Sequence, residues 1–460
     1  MRRPARRISR GGAAWLSLVL LLTPVPAGAG PKIVQDILDN GLKVVAVQDD
    51  KSPVSTIQVW YKVGSRHEPQ GKTGLSHLLE HMMFKGTATV GKGEYSKTVA
   101  RHGGTENAFT NRDATVYFQK FAPDRLELAL SLEADRMTNL LLDPAEFELE
   151  RKVVMEERRM RIEDDPTSLV VEEMFASAYK VHPYRHPVIG WMEDLAALSR
   201  EDLVRHYKRY YVPNNAIVVV AGPTDPAEAI AKVKAAFGKI PKGDVPVETA
   251  VQEPPPLGER RVKVKKEAQL PFVFAGYPVP RVGHQDEYAL DLLAQVLAAG
   301  KSSRLYKSLV YEKQIAAYAA ASYDQMTSQD PALFYLYAGV KPGVRTEDVE
   351  KALYREVELI ASQPVPEKEM EKAKNQVEAA FILGQDSIFN QARQIGQAEL
   401  VGVGVRYIEN YVANIRKVTA ADVQRAARDY FSEDRRTVGI LVPVPPKTKG
   451  TEPGEGKPSE

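Results

Sequence analysis

Two stretches about 220 residues apart in this 460-residue chain carry the same run of residue types, so the fold has to be one that can be built twice from similar halves. Asp202-Leu203-Val204-Arg205 leads through Tyr210-Tyr211 to an apolar segment at 216–221. Asp422-Val423-Gln424-Arg425 leads through Tyr430-Phe431 to a similar segment at 437–442. Earlier in each half, the segment from Gly74 to His81, followed by Gly86, lines up on Tyr288 to Gln295, followed by Gly300. Between the halves, Pro241, Pro246, Pro254, Pro255 and Pro256 stand among mixed charges without apolar periodicity, the pattern of a linker. The layout expected is one lobe over residues 32–240, a linker over 241–258 and a homologous lobe over 259–445.

Within the first half, residues 41–47, 55–63 and 114–119 alternate or run apolar between turn residues and read as strands. Residues 125–142 and 144–161 carry helical spacing with acidic starts. This order predicts an α+β fold of two related lobes, each a mostly antiparallel sheet packed against helices. Past Val444 the chain is Pro, Gly, Lys and Glu, and residues 446–460 are expected to be disordered.

The N-terminus has five Arg and no acid in its first ten residues, then an apolar run at 13–22 broken only by Ser17, then Ala27-Gly28-Ala29. That pattern predicts a secretory signal over residues 1–29 and an exported, periplasmic or secreted protein. A mitochondrial presequence is the rival reading, because Arg dominates and the first acid is Asp36. No later segment reaches about eighteen unbroken apolar residues, so no permanent membrane span is expected. Lys plus Arg at 62 against Asp plus Glu at 60 leaves no basic excess for a phosphate backbone, which argues against nucleic acid as a partner. The chain has no Cys, so any metal must be held by His, Asp or Glu.

His77-Leu78-Leu79-Glu80-His81 is the sharpest chemical signal. Residues four apart share a helix face, so both imidazoles can aim at one ion while Glu80 projects beside them. With 8 His and 60 acids in the chain, roughly 0.02 matches to this pattern are expected by chance. A hydrolytic zinc site needs a third protein ligand and an open position. The acidic helix read from Glu146 to Glu163 offers Glu150, Glu156 and Glu157, and spacing alone does not choose among them.

On these residues the chain resembles the pitrilysin and insulin-degrading-enzyme family, whose zinc motif is the inverted H-x-x-E-H, and it is most similar to the processing-peptidase branch. Further likeness lies in Gly103-Gly104-Thr105-Glu106-Asn107-Ala108-Phe109-Thr110 with Asp113, Thr115 and Tyr117, and in His182-Pro183-Tyr184 with Ile189-Gly190; it covers roughly residues 32–445. In that family the third ligand lies about 76 residues past the second His, which lands on Glu157, with Glu150 seven residues earlier. The resemblance thus implies one Zn²⁺ per chain on His77, His81 and Glu157, Glu80 as base, and Glu150 as an acid that orients a ligand. It also implies an edge strand through Asn107 and Ala108 that holds peptide or unfolded polypeptide in extended form.

The second half departs from the pattern. Its aligned metal positions are Asp291, Ala294 and Gln295, which cannot hold the same ion. Family enzymes also bring an Arg and a Tyr seven residues apart to the substrate. Here Tyr318 matches the Tyr, as a substrate contact, but Tyr311 stands where the Arg would be. The expectation is a zinc metalloendopeptidase that forms the zinc-bearing subunit of a heterodimer, with a related subunit supplying the Arg/Tyr pair. The alternative is a catalytically silent assembly subunit, like the core proteins of a respiratory complex, or a peptide-binding protein of the same fold.

Overall fold

The computed structural model describes residues 31–445 except 248, 249, 324, 325 and 327. The expected signal at 1–29 and tail at 446–460 lie outside the described residues.

The first half forms β1 (Lys32–Ile37), β2 (Lys43–Gln48), β3 (Ser55–Tyr61), β4 (Thr105–Thr110), β5 (Thr115–Phe121) and β6 (Ala216–Gly222). Its helices are α1 (Leu75–Met82), α2 (Glu94–Arg101), α3 (Leu126–Thr138), α4 (Pro144–Arg158), α5 (Pro166–Ala178), α6 (Met192–Ala197), α7 (Arg200–Tyr210) and α8 (Pro226–Phe237). The second half forms β7 (Arg260–Glu267), β8 (Phe272–Val279), β9 (Ala316–Tyr323), β10 (Ala332–Val340) and β11 (Thr437–Val444). Its helices are α9 (Glu287–Ala298), α10 (Thr346–Ser362), α11 (Glu367–Gly384), α12 (Ile388–Leu400), α13 (Val405–Lys417) and α14 (Ala420–Tyr430).

The repeat seen in the residues is a repeat of topology. The first sheet runs β1-β2-β6-β3-β5-β4 and the second β7-β11-β8-β10-β9. Without β1 the orders coincide, each lobe's last strand entering parallel beside its first, with the remaining pairs antiparallel. The matched Asp202 and Asp422 occupy equivalent capping boxes, with Ser199 before α7 and Thr419 before α14. This reciprocal cap satisfies backbone N–H groups that a helix start leaves open.

Strand alternation sends one set of side chains to each face of a sheet. On the inner face of the first sheet, Val44, Ile57, Val59 and Val218 pack against Leu78 of α1, Leu130 of α3 and Val233 of α8. On its other face, Val45, Trp60, Ile217 and Val219 meet Ile388, Ala392 and Ile395, which belong to α12 of the second half. The second sheet reciprocates, since Phe272, Phe274, Leu333 and Leu441 pack against Val170, Met174 and Ala178 of α5 from the first half. Each lobe therefore has a core of its own and lends one helix to the outer face of the other's sheet. A Cβ on Gly396 would lie 2.3 Å from the Trp60 ring, so α12 needs glycine there to sit on the sheet. The linker is anchored as well: the Glu253 carboxylate accepts the N–H groups of Lys180, Val181 and His182.

The expected helix at 125–142 is shorter than the apolar spacing suggests. α3 stops at Thr138; Leu140 makes an isolated bridge to Thr87, and Leu142 turns to φ 48°. Asp143 then accepts the Ala145 and Glu146 N–H groups as the cap of α4, with Pro144 at its first position, so two helices compete for this stretch and the second one wins its start. The strand β1 carries no apolar alternation and is largely exposed at the sheet edge, which is why the residue pattern does not announce it.

Candidate active site

The helix α1 carries His77, Glu80 and His81 on the side facing α4, while Leu75, Leu78, Leu79 and Met82 are buried in the core. Its start is held from outside. Gly74 offers no side chain to cap the helix, and the buried Glu68 carboxylate takes that place, accepting Gly74 N–H and Ser76 N–H at 2.7 Å each. Burial pushes the Glu68 carboxyl up to about 8, against the pull of those two donors.

Glu157 arrives on the last turn of α4. Its Oε2 lies 3.7 Å from His77 Nε2 and 3.4 Å from His81 Nε2, and the three possible ligand atoms fall within 4.8 Å of one another. Glu157 Oε1 is tied to Arg161 Nε at 3.0 Å. Oε2 is buried and has no hydrogen-bond partner among the described residues. A buried carboxylate oxygen without a donor is costly, and two imidazole nitrogens aimed at the same point as this oxygen form a donor set that suits a divalent cation. This fits zinc, for which two His and one Glu are an established hydrolytic ligand set. The other two glutamates offered by the acidic helix take different places. Glu156 is exposed and pairs with Arg159. Glu150 receives His81 Nδ1 at 2.9 Å, so the carboxylate fixes that ring with its Nε2 facing Glu157. Lys85, one turn beyond His81, holds the other Glu150 oxygen; its i+4 spacing from His81 is a signal the sequence reading did not use.

The charges follow from these contacts. Burial lowers His77 to about 3, reinforced by His81 and Arg161, so its ring is neutral and available as a ligand. For His81 burial acts downward, but the Glu150 hydrogen bond and the surrounding carboxylates outweigh it and raise the ring. Burial raises Glu80 above the usual carboxylate range, opposed by the Thr110 hydroxyl, which donates to Oε2 at 2.5 Å. Thr110 ends β4, so the candidate base is tied directly to the edge strand.

That strand is at the end of the sheet, with one side paired to β5 and the other unpaired among the described residues. Asn107 and Ala108 lie on it, and both line a cavity of about 1,120 Å³ together with His77, Glu80, His81 and Glu157. Opposite, α5 turns Thr167, Val171 and Phe175 into this cavity while its other face covers the second sheet. Tyr318 does not line this cavity: it projects from β9 over Gly339, beside Pro271 and Phe272, in an adjoining depression that shares Thr167 with it. Tyr311 is exposed on a short π-helix, Tyr306–Glu312.

Comparison with known proteins agrees with this geometry. The profile described as "Insulinase (Peptidase family M16)" matches residues 43–190, and that described as "Peptidase M16 inactive domain" matches residues 197–377. The chain is 35% identical to the zinc protease PqqE of Helicobacter pylori over 440 residues, covering 93% of this chain and 98% of that one. A crystal structure of a protease from Helicobacter pylori, 35% identical, superposes with a TM-score of 0.86 over 90% of this chain and all of the other. A chain of complex III2 from Candida albicans shares the fold at 17% identity and a TM-score of 0.77, over 89% of this chain and 96% of that one. The first profile contains the His-x-x-Glu-His helix, the second starts at residue 197 in the first lobe and runs through the linker into α11 of the second, and the chain belongs to peptidase family M16, the insulinase family.

Proposed function

We propose that this chain is a zinc-dependent endopeptidase that cleaves extended peptides or unfolded segments, and that it is the zinc-bearing subunit of a pair of related chains. The observation that carries the reading is the buried, donor-free Glu157 Oε2 facing the Nε2 atoms of His77 and His81. A silent subunit with this fold has no physical reason to maintain such an arrangement.

Nε2 of His77, Nε2 of His81 and Oε2 of Glu157 would hold one zinc ion. When bound, zinc supplies Lewis acidity toward the scissile carbonyl and the attacking water. Glu80 is left free of ligation and accepts the proton of that water, then returns it to the departing amine. Its raised carboxyl makes it a better base near neutral pH than an exposed glutamate. The Thr110 hydroxyl fixes the Glu80 carboxylate, and Glu150 keeps the His81 ring in one tautomer. The unpaired side of β4 offers main-chain groups at Asn107 and Ala108 for an added strand, which restricts substrates to segments that can be drawn out straight.

The cavity of this chain contains Arg112, Arg161 and Arg185, but no Arg/Tyr pair from the second lobe reaches it among the described residues. A related subunit that presents such a pair completes the site. The proposed setting is outside the cytoplasm, after removal of the signal at residues 1–29; no helix among the described residues is long and apolar enough to cross a membrane. The test is Glu80→Gln, measured for zinc content and for hydrolysis of an unfolded polypeptide. Zinc retained at one per chain with hydrolysis reduced at least ~10³-fold is expected, since a carboxamide cannot take the proton. Hydrolysis unchanged in that variant rejects the assignment of Glu80.

A further inference from the structure

One wall of the cavity carries a cation whose position is fixed and which has no carboxylate partner among the described residues. Arg112 sits in the turn between β4 and β5, two residues past Thr110, and lines the same cavity as the metal-site residues. Its guanidinium lies 4.0 Å from the centre of the Phe175 ring and donates through Nε to Tyr184 O at 3.3 Å. No carboxylate lies within ion-pair distance of it among the described residues.

The turn that bears it is held from every side. Asn111 Oδ1 accepts the N–H groups of Asp113 and Ala114 at 2.8 and 2.7 Å. Asn111 O and Arg112 O accept Ser65 N–H and Arg66 N–H, and a Cβ on Gly64 would stand 2.2 Å from Asn111 O, so the two turns lie in close backbone contact. Asp113 is fully buried and binds Arg66, Tyr184 OH and the Gln329 N–H of the second lobe. A side chain on such a base loses little freedom when it binds, which is the condition for a strong directional contact.

The acids around the cavity do not neutralise Arg112. Glu172 is engaged by both terminal nitrogens of the buried Arg158, at 2.9 and 2.8 Å. Glu156 pairs with Arg159, while Glu157 faces the histidines and Arg161. The neighbouring wall adds Arg185, which donates to Lys180 O, and His186, whose Nδ1 is buried without a hydrogen-bond partner among the described residues. This side of the cavity is therefore positive, apolar at its base through Phe175, and partly shielded from water. Those conditions favour a planar carboxylate that can accept a paired hydrogen bond from a guanidinium.

We infer that Arg112 makes this side of the cavity a carboxylate subsite, so that the preferred substrate carries an acidic side chain or a free C-terminal carboxylate within about three residues of the scissile bond. The distance follows from the chain: Thr110, which holds Glu80, stands two residues before Arg112 and lines the same cavity, so an occupant of the subsite lies within a few residues of the bond that Glu80 faces. This inference rests on the peptidase reading of the metal site and adds the substrate class.

The test uses the full-length, zinc-loaded Glu80→Gln protein, so that binding is measured without turnover. Fluorescent peptides of one sequence carry Glu, Gln or Lys singly at each of three positions on either side of a central bond, and each is made with a free or an amidated C-terminus. At one position Glu is expected to bind at least ten-fold more tightly than Gln, with Lys weaker still, and the Glu/Gln ratio should fall to about one when Arg112→Gln is added and recover in part with Arg112→Lys. If the preference follows the C-terminal acid instead, the source is the chain end and the subsite stands. Equal affinity for all of these peptides, or a Glu preference that survives Arg112→Gln, overturns the inference. Hydrolysis of the same peptides by the protein with Glu80 intact separates the two claims. Cleavage without charge preference removes the subsite alone, whereas binding preference in a chain that takes up no zinc leaves the subsite and removes the peptidase reading.

Discussion

The helices α1 and α9 occupy the same place in two copies of one topology, yet one borders an open cavity and the other is covered by a further helix. On α1 the polar face holds His77, Glu80 and His81; on α9 the matching positions are Asp291, Ala294 and Gln295. The difference extends to the chain that follows. Between α5 and α7 the first lobe has only a short turn at 183–185 and the six-residue α6, which leave about 1,120 Å³ open over the histidines. Between α12 and α14 the second lobe has α13, a helix of thirteen residues that lays aromatic side chains over α9. Tyr411 OH binds the Asp291 carboxylate, Tyr288 stacks on Tyr407 at 5.9 Å, and Tyr411 packs on Phe381 at 5.2 Å. The same cradle thus borders an open cavity with candidate metal ligands or lies under aromatic side chains, according to whether a helix covers it.

The strongest way to break this comparison is to give the first lobe a residue of the second. α5 and α12 are both thirteen residues long and begin at 166 and 388, an offset that carries Glu157 to Ala379. Glu157→Ala is therefore expected to remove one of three ligands and the only negative one, with zinc falling from about one per chain to near zero after dialysis and hydrolysis falling with it. Retention of tightly bound zinc would mean that another residue completes the coordination, and the contrast between the lobes would lose its chemical basis.

The converse change tests whether the second lobe is only a core. Burial raises the Asp291 carboxyl, against the hydrogen bonds of Tyr411 and Gln295. Tyr411→Phe takes away one of these partners inside an apolar environment, so a loss of about 1–3 kcal/mol in unfolding free energy is expected from denaturant titration. Zinc content should not change, because no atom of α13 lines the metal cavity. A drop in zinc without a drop in stability would show that the covered site is coupled to the open one.

What could be read before folding, and what could not, divides along the same line. The His-x-x-Glu-His helix and the two capping boxes are local, with every residue within one or two turns of its partner, and they stand in the sequence as they stand in the fold. The duplication is legible because it repeats local patterns. The exchange of α5 and α12 is not, since an apolar helix face states that it must be covered and says nothing about which sheet will cover it. Leu140 to Leu142 fit the apolar spacing of α3, but their fate is settled by Asp143 and Pro144, which begin a competing helix. Arg112 carries no sequence signal of its function; its meaning comes from Phe175, Tyr184 and the shortage of a counter-charge, all distant in the chain.

The smallest expected difference compares the two capping boxes themselves. Burial opposes the charge of Asp202, but the Lys72 ammonium at 2.8 Å and the Ser199 donors prevail and hold its carboxyl at about 2. Asp422 is also lowered, chiefly by the Thr419 hydroxyl and N–H, and among the described residues its cationic partner is Arg425 at 3.5 Å, with no lysine in reach. A carboxyl lowered in the folded state adds stability that is complete above its unfolded value of about 3.9 and disappears as the pH falls through the folded one. Asp202→Asn should therefore cost about 1 kcal/mol at pH 6 and Asp422→Asn less, with both costs shrinking toward pH 2 as the wild-type carboxyls take up protons. Unfolding free energies measured across that range decide the matter. Equal costs at pH 6 would show that Lys72 adds nothing to the first box, and a cost for Asp202→Asn that does not decline with pH would place its origin in packing and not in charge.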